Sequence, residues 1–267
     1  MANPALNEKR FETARDEWQA GYAAPDALMA TRSDDLPPST TRGEAMTANG
    51  TFAKTFGLFL LVLAGGAVGW SQVETNLAGQ VEIPGWTWIA VLGAFAIAMV
   101  CIFKPTTSPF LAPLYALLEG VILGAISKAF EVQWDGIVFQ AVLATIGVFF
   151  ATLALYVFDV VKVTKKFTMV VIGATFGIML LYLFGWIMTL FGVDVVFWNE
   201  PSALGIAVSV GICIVASLNL FLDYEFIRQA STRGAPKHME WYGAFGIIVT
   251  LVWLYLELLR LLALLRN

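Results

Sequence analysis

The chain has 267 residues, of which 58% are hydrophobic and 13% are charged, and its formal net charge is −4. A soluble globular domain has about 25% charged residues, so this composition favours an integral membrane protein over a soluble one. The sequence also has no basic stripe of the kind that binds nucleic acid, and we therefore expect no nucleic-acid partner.

The N-terminal region is polar and rich in acids, hydroxyl residues and prolines, as in the stretch RSDDLPPSTTRGEA. Such a composition buries too little apolar surface to fold, and it predicts a disordered segment. The region has no apolar core of signal-peptide length, so we expect the first apolar run to remain in the mature protein. The chain therefore divides into a disordered tail, residues 1–50, and a membrane domain, residues 51–267.

Seven apolar runs follow the tail, and each is long enough as a helix to cross a hydrocarbon core of about 30 Å. Prolines, glycines and charged residues separate the runs, as in EIPGW, KPTTSP, WNEPS and RGAPK. The pattern predicts an all-α, polytopic membrane protein built as a seven-transmembrane-helix bundle. The predicted spans are Ala53–Gln72, Trp86–Phe103, Pro109–Phe130, Ile137–Phe158, Thr168–Phe191, Ala203–Ile227 and Trp241–Leu265.

Lysines and arginines lie in alternate connections, and this asymmetry predicts the orientation of the bundle. The segment before the first span and the second-to-third, fourth-to-fifth and sixth-to-seventh connections contain cations, whereas the first-to-second and fifth-to-sixth connections contain acids but no Lys or Arg. The positive-inside rule then places the N-terminus in the cytoplasm, and an odd number of spans places the C-terminus outside. Three cations run against this trend: Lys128, Arg260 and Arg266.

Several spans contain small residues four positions apart, which let helix backbones approach closely in a membrane. This pattern predicts a compact bundle. The glycines concerned are Gly65, Gly66 and Gly69 in the first span, Gly120 and Gly124 in the third, and Gly173 and Gly177 in the fifth.

Three spans contain a carboxylate at bilayer depth: Glu119 in the third, Asp223 in the sixth and Glu257 in the seventh. A charge at that depth costs a few kcal/mol and normally faces a cavity or a partner. At 100° per residue, Asn219 lies about 40° from Asp223 around the helix, whereas Glu225 lies about 200° away. We therefore expect Asp223 and Asn219 to face the bundle interior and Glu225 to face the cytoplasmic interface.

Local partners exist for the other two acids. Arg260 lies one turn beyond Glu257 and is close enough to form an ion pair with it, and Tyr115 precedes Glu119 by one turn. In a purely structural interpretation, Asp223 snorkels or makes an end-of-helix contact, Glu257 only neutralises Arg260, and Glu119 is protonated and holds helices together. In a functional interpretation the acids share a site, which responds to pH and attracts a hard cation such as Ca²⁺.

The stretches APLYALLEGVILGAIS (112–127), LNLFLDYEFI (218–227) and WLYLELLRLLALL (253–265) resemble signature segments of the Bax inhibitor family. MTANGTFAKT (46–55) and EWYGAFGIIVTLVWLYLE (240–257) are similar to its bacterial branch. The resemblance implies a central seventh helix and a pH-sensitive calcium leak in a bacterial plasma membrane. It also implies a carboxylate pair that gates the leak, in which Asp223 and Glu257 match the two members and would be the calcium ligands.

The spacing of the two matched acids sets a condition on that pair. If the turn between the last two spans centres near Ala235, Asp223 and Glu257 differ in depth by roughly 15 Å. Glutamate at the second position is also a departure from the aspartate of the family. A partly helical connection or a late start of the seventh span would bring the two acids together, and otherwise the chain does not form the pair of the family.

Two functional hypotheses follow from these residues. The first is a proton-sensitive calcium or cation leak, with Asp223 and Glu257 as gate and Glu119, Asn219, Arg260 and Tyr115 as supporting groups. The second is a regulatory membrane protein that does not transport and that binds a membrane protease or another quality-control partner. A third hypothesis, an intramembrane hydrolase, is poorly supported, because the motifs around Asp223 and Glu257 do not resemble those of intramembrane aspartyl proteases and no Ser/His pair lies within the spans. We therefore expect no enzymatic activity. We also expect no bound cofactor beyond transient Ca²⁺, since two cysteines and one histidine cannot build a metal cluster.

Overall fold

The computed structural model describes residues 45–75, 81–82, 84–192 and 202–266. The described part forms seven α-helices, as predicted, with a two-residue antiparallel ladder between the first two (β1, Glu74–Thr75; β2, Val81–Glu82). The predicted disordered tail lies outside the described residues as far as residue 44. The helices are α1 (Ala48–Ser71), α2 (Thr87–Phe103), α3 (Ser108–Gln133), α4 (Ile137–Val157), α5 (Lys165–Leu190), α6 (Ala203–Thr232) and α7 (Met239–Arg266).

Within the described residues, six helices are long and apolar enough to cross a membrane. The remaining helix, α2, is equally apolar but has 17 residues, which is at the short end of the range for a membrane span. The predicted spans therefore agree with the helices of the structure, and the differences are confined to helix ends.

The two largest differences have local causes. Helix α1 begins at Ala48 rather than at the predicted Ala53, because the Thr47 hydroxyl accepts a hydrogen bond from the Gly50 amide (3.0 Å) and caps the helix. Helix α6 continues five residues beyond the predicted end at Ile227, through a polar turn in which the Glu225 carboxylate accepts hydrogen bonds from Arg228 and Gln229. Polar capping and pairing thus extend both helices past the apolar segment.

Helix α7 is the centre of the bundle, as the family resemblance implied. It packs against α1, α3, α4 and α6, so neighbours surround it on several sides. Its buried positions include Ala244, Ile247, Ile248, Leu254 and Leu259, which are all at most 1% exposed. Residues that differ by one, three and four positions are buried together, which is typical of a helix that is enclosed all round.

Helices α1 and α3 are in backbone contact at glycines that the sequence pattern singled out. A Cβ atom added at Gly69 would lie 2.0 Å from the Val121 carbonyl oxygen, and one added at Gly124 would lie 2.0 Å from the Gly66 carbonyl oxygen. The glycines of the fifth span make no such contact: Cβ atoms at Gly173 and Gly177 would meet no atom within 4 Å. Helix α5 lies at the edge of the bundle, packs mainly on α6, and buries only Val171.

We expect Gly124→Ala to lower stability by about 1 to 3 kcal/mol, because the added methyl overlaps the α1 backbone and the helices must separate. Thermal unfolding in detergent measures the effect. Gly173→Ala is the matched control, since it makes the same change in an open position and removes a glycine from a helix. A loss at Gly173 equal to that at Gly124 would contradict the packing explanation.

Candidate functional site

Asp223 lies on α6 and faces the central helix α7. The Thr250 hydroxyl donates to Asp223 Oδ2 at 2.7 Å and also approaches the Gly246 carbonyl oxygen at 3.2 Å. A Cβ atom at Gly246 would lie 3.6 Å from Asp223 Oδ1, so the glycine leaves room beside the carboxylate. Among the described residues, Oδ1 accepts no hydrogen bond. Asp223 therefore keeps an unused acceptor directed at α7.

Glu257 lies on α7, is 2% exposed, and is held by three helices. The Tyr182 hydroxyl of α5 donates to Oε2 at 2.5 Å, and the Ser209 hydroxyl of α6 donates to Oε1 at 2.9 Å. The predicted partner Arg260 is present and donates to Oε1 through Nη2 (2.7 Å) and Nε (3.1 Å). Both carboxylate oxygens are thus engaged, and the charge of Glu257 is neutralised locally.

The structure does not bring Asp223 and Glu257 together. Thr250, the partner of Asp223, lies seven residues before Glu257 on α7, which is about 10 Å along the helix. Ser209, a partner of Glu257, lies fourteen residues before Asp223 on α6, which is about 21 Å. The two acids therefore occupy different levels of the bundle, with separate partners, as the spacing of the sequence suggested and the family pattern did not.

Asn219 lies between these levels, one turn from Asp223. Its amide nitrogen donates to the Thr175 hydroxyl of α5 at 2.8 Å and to the Val215 carbonyl oxygen at 2.9 Å, so it supports the α5–α6 contact. The polar side chains then form a discontinuous series inside the bundle, which we call the polar row. Its members are Asp223, Thr250, Asn219, Thr175, Ser209, Tyr182, Glu257 and Arg260.

Glu119 and Tyr115 lie outside the polar row, on α3. The Tyr115 ring packs edge-on against Phe245, with ring centroids 5.0 Å apart. Within the described residues, the partly buried carboxyl group of Glu119 has no hydrogen bond or ion pair, so the Tyr115 phenol one turn away does not hydrogen-bond it. The structure therefore separates these two supporting groups from the acids of α6 and α7.

Glu225 points away from Asp223, as the helical phase predicted. Its carboxylate accepts hydrogen bonds from the Tyr156 hydroxyl of α4 (2.7 Å) and from the Arg228 guanidinium (2.7 and 3.0 Å). The Arg228 side chain is 61% exposed. Glu225 therefore anchors the polar end of α6 to α4 and is not part of the polar row.

Glu240 is a buried acid that the sequence analysis did not single out. It is 0% exposed at the start of α7 and accepts hydrogen bonds from the Thr47 amide and hydroxyl, each at 2.9 Å. Lys54 forms an ion pair with it, as does Lys237 at 2.8 Å. This cluster joins the start of α1 to the start of α7. The predicted seventh span began at Trp241, on hydropathy, and so did not include Glu240. Lys237, three residues earlier in the sequence, is a local signal for an ion pair with Glu240.

The described residues contain no group of three or more His, Cys, Asp or Glu side chains that are able to hold a metal ion. Cys101 and Cys213 are both buried and free, which is typical of cysteines that pack as small apolar side chains. The calcium ligation by Asp223 and Glu257 that the family resemblance implies therefore remains a prediction. At their separate levels, each acid would contribute to a different ion position.

The long apolar helices and the polar row inside them define a multi-pass α-helical membrane protein. A family model described as Bax inhibitor 1 like matches residues 3–267, nearly the whole chain, and the chain belongs to this family. The resemblance drawn from the signature segments is thus confirmed for the family, while the bacterial branch stays a prediction. None of the curated proteins compared with the chain matches it.

Proposed function

We propose that the protein is a proton-sensitive leak for calcium or a similar cation, in which Asp223 and Glu257 act in sequence at two levels. The observation that supports it is the polar row, which places two carboxylates inside a membrane bundle without bringing them into contact. Carboxylates at bilayer depth are expensive and usually mark ion or proton pathways. On the charge distribution and the family resemblance, we place the protein in a bacterial plasma membrane with its N-terminus in the cytoplasm.

The two acids differ in how they are engaged, and this difference suggests their roles. Asp223 has one donor, Thr250, and an unused oxygen, so it has the capacity to take a proton or a cation. Glu257 is saturated by Tyr182, Ser209 and Arg260. In the proposed mechanism, the Asp223 carboxylate binds the cation and no longer attracts it once it is protonated. The ion pair of Glu257 with Arg260 keeps the pathway closed at the other level until the pair separates.

Asp223→Asn in reconstituted vesicles tests the proposal. We expect calcium flux on the order of tenfold lower than in the wild type, because affinity for Ca²⁺ depends on the number of charged oxygen ligands. Wild-type flux should fall as the pH falls, since a protonated carboxyl group is neutral and no longer attracts a cation. The variant should lack this pH dependence.

The matched control for Asp223→Asn is Glu225→Gln, which neutralises an acid two residues away on the opposite side of α6. Its flux and pH response should match those of the wild type. Equal elution volumes and helical circular dichroism would establish that both variants fold. Unchanged flux and unchanged pH response in Asp223→Asn would overturn the proposed leak.

A second candidate function is that of a regulatory membrane protein without transport, and the position of residues 45–47 favours it. The Met46 amide donates to the Ala235 carbonyl oxygen at 2.7 Å, and Ala45 forms an antiparallel bridge with Pro236. The chain that precedes the first span is thus fixed to the α6–α7 connection. Crosslinking to a membrane protease that is lost on deletion of residues 2–43, together with zero flux in vesicles, would favour this function.

A further inference from the structure

A long apolar cavity of about 750 Å³ lies between α1 and α4, with α3 and α7 as its floor. Helix α1 packs closely on α3 and α7, but α1 and α4 are not among the helix pairs that pack extensively. The α1 residues that line the cavity run from Phe52 to Trp70, which corresponds to about 27 Å along the helix. We call this feature the α1–α4 groove. Its length approaches the thickness of the hydrocarbon core.

The lining of the groove is suited to a hydrocarbon chain. Aromatic and aliphatic side chains such as Phe59, Phe149 and Leu251 form most of it. Two of the lining hydroxyl groups satisfy each other, because the Ser127 and Tyr255 oxygens are 2.6 Å apart and both lie in the buried interior. An apolar ligand in the groove therefore has a long contact surface, and it leaves neither of these two hydroxyl groups without a hydrogen bond.

The positively charged side chain of Lys128 lies at the end of the groove that is nearest to the C-terminal end of α1. The Lys128 ammonium lies 5.1 Å from the centroid of the Trp70 ring, which itself lines the groove. Among the described residues, no carboxylate lies within 4 Å of this ammonium, and Glu131 one turn further on is engaged with the amides of Gly136 and Val138. Lys128 is one of the cations that run against the positive-inside distribution. A positive charge without a protein anion at the mouth of an apolar groove is complementary to a lipid phosphate.

We propose that the α1–α4 groove binds a phospholipid with a net negative headgroup, with one acyl chain along the groove and the phosphate at Lys128. An acyl chain spans about half of the hydrocarbon core, so it reaches from the Lys128 end past the middle of the groove. The hydrophobic effect adds little inside a bilayer, and selectivity therefore arises from the shape of the groove and the charge at its mouth.

Native mass spectrometry of the full chain, with phosphatidylglycerol and phosphatidylcholine as probes, tests the proposal. We expect the wild type to retain phosphatidylglycerol after detergent washing, with a preference of about fivefold over phosphatidylcholine from one lysine at the surface. Ala67→Trp fills the groove and should abolish retention. Lys128→Gln should retain lipid but lose the preference, and Lys128→Arg should keep it.

Ala64→Trp is the matched control, because Ala64 is exposed on the same helix but does not line the groove. It should bind phosphatidylglycerol like the wild type. Thermal unfolding of each variant separates loss of binding from loss of fold. Equal retention in Ala67→Trp and Ala64→Trp would overturn the proposal. A wild-type dimer that Ala67→Trp converts to monomer without any lipid loss would also overturn it, since the groove would then hold a second copy.

Discussion

Arg260→Gln is expected to lower the free energy of unfolding by about 3 to 5 kcal/mol, the usual loss when one member of a buried ion pair is removed. The side chains of Arg260 and Glu257 are 18% and 3% exposed, so water replaces little of the lost interaction. Glu257 would keep the hydroxyl donors of Tyr182 and Ser209 but no cation from this pair. Denaturant unfolding in detergent measures the change.

The double variant Arg260→Gln with Glu257→Gln separates the ion pair from other effects. Removing both charges leaves no buried charge unpaired, and replacing a whole buried pair is often neutral for stability. We therefore expect the double variant to recover most of the loss. If it is as unstable as Arg260→Gln alone, Arg260 stabilises the bundle mainly through other contacts.

Glu240→Gln is expected to cost about 3 kcal/mol, because an acid that is 0% exposed holds the starts of α1 and α7 together. A glutamine amide would face the Thr47 hydroxyl and amide and the ammonium groups of Lys54 and Lys237, and each of these is a donor. The side-chain amide nitrogen of the glutamine, which is itself a hydrogen-bond donor, would thus face other donors. Thermal unfolding measures the loss.

Lys237→Gln is the control for the Glu240 cluster. The Lys237 side chain is 49% exposed, so its ion pair is screened by water, and its removal should cost at most about 1 kcal/mol. Lys54 is 19% exposed, and it also lies 5.4 Å from the Trp241 ring centroid. Losses of equal size for Glu240→Gln and Lys237→Gln would contradict a cluster that depends on the buried carboxylate.

The number of helices was predictable because membrane-length apolar runs need no knowledge of their neighbours. Pairs of residues one turn apart on the same helix were also predictable, because they too need no knowledge of the neighbouring helices. Arg260 lies three residues from Glu257, and helix geometry alone brings them together. Contacts between helices were not predictable. Tyr182 and Ser209 reach Glu257 from two other helices, and their positions depend on how α5, α6 and α7 are aligned along the membrane normal.

The spacing of residues along the chain predicted the difference in depth between Asp223 and Glu257 but not the partner of Asp223. The connection between α6 and α7 is short, from Arg233 to His238, so α6 ends and α7 begins at similar depth, and α7 does not begin late. The unequal distances of the two acids from this connection then keep them apart, as the spacing predicted. Thr250 was not predictable as the partner of Asp223, because this contact depends on the rotation of α7 about its axis.

The edge position of α5 has a consequence for how the bundle opens. Helix α5 buries only Val171, yet its Thr175 and Tyr182 complete the polar row on one side. Moving α5 away from α6 would uncover little apolar core and break few hydrogen bonds, and such weakly held elements open locally before the rest of a structure does. Most of α5 is exposed on the outside of the bundle, so we expect a change in bilayer thickness to act on this helix first and to influence how often the polar row is exposed.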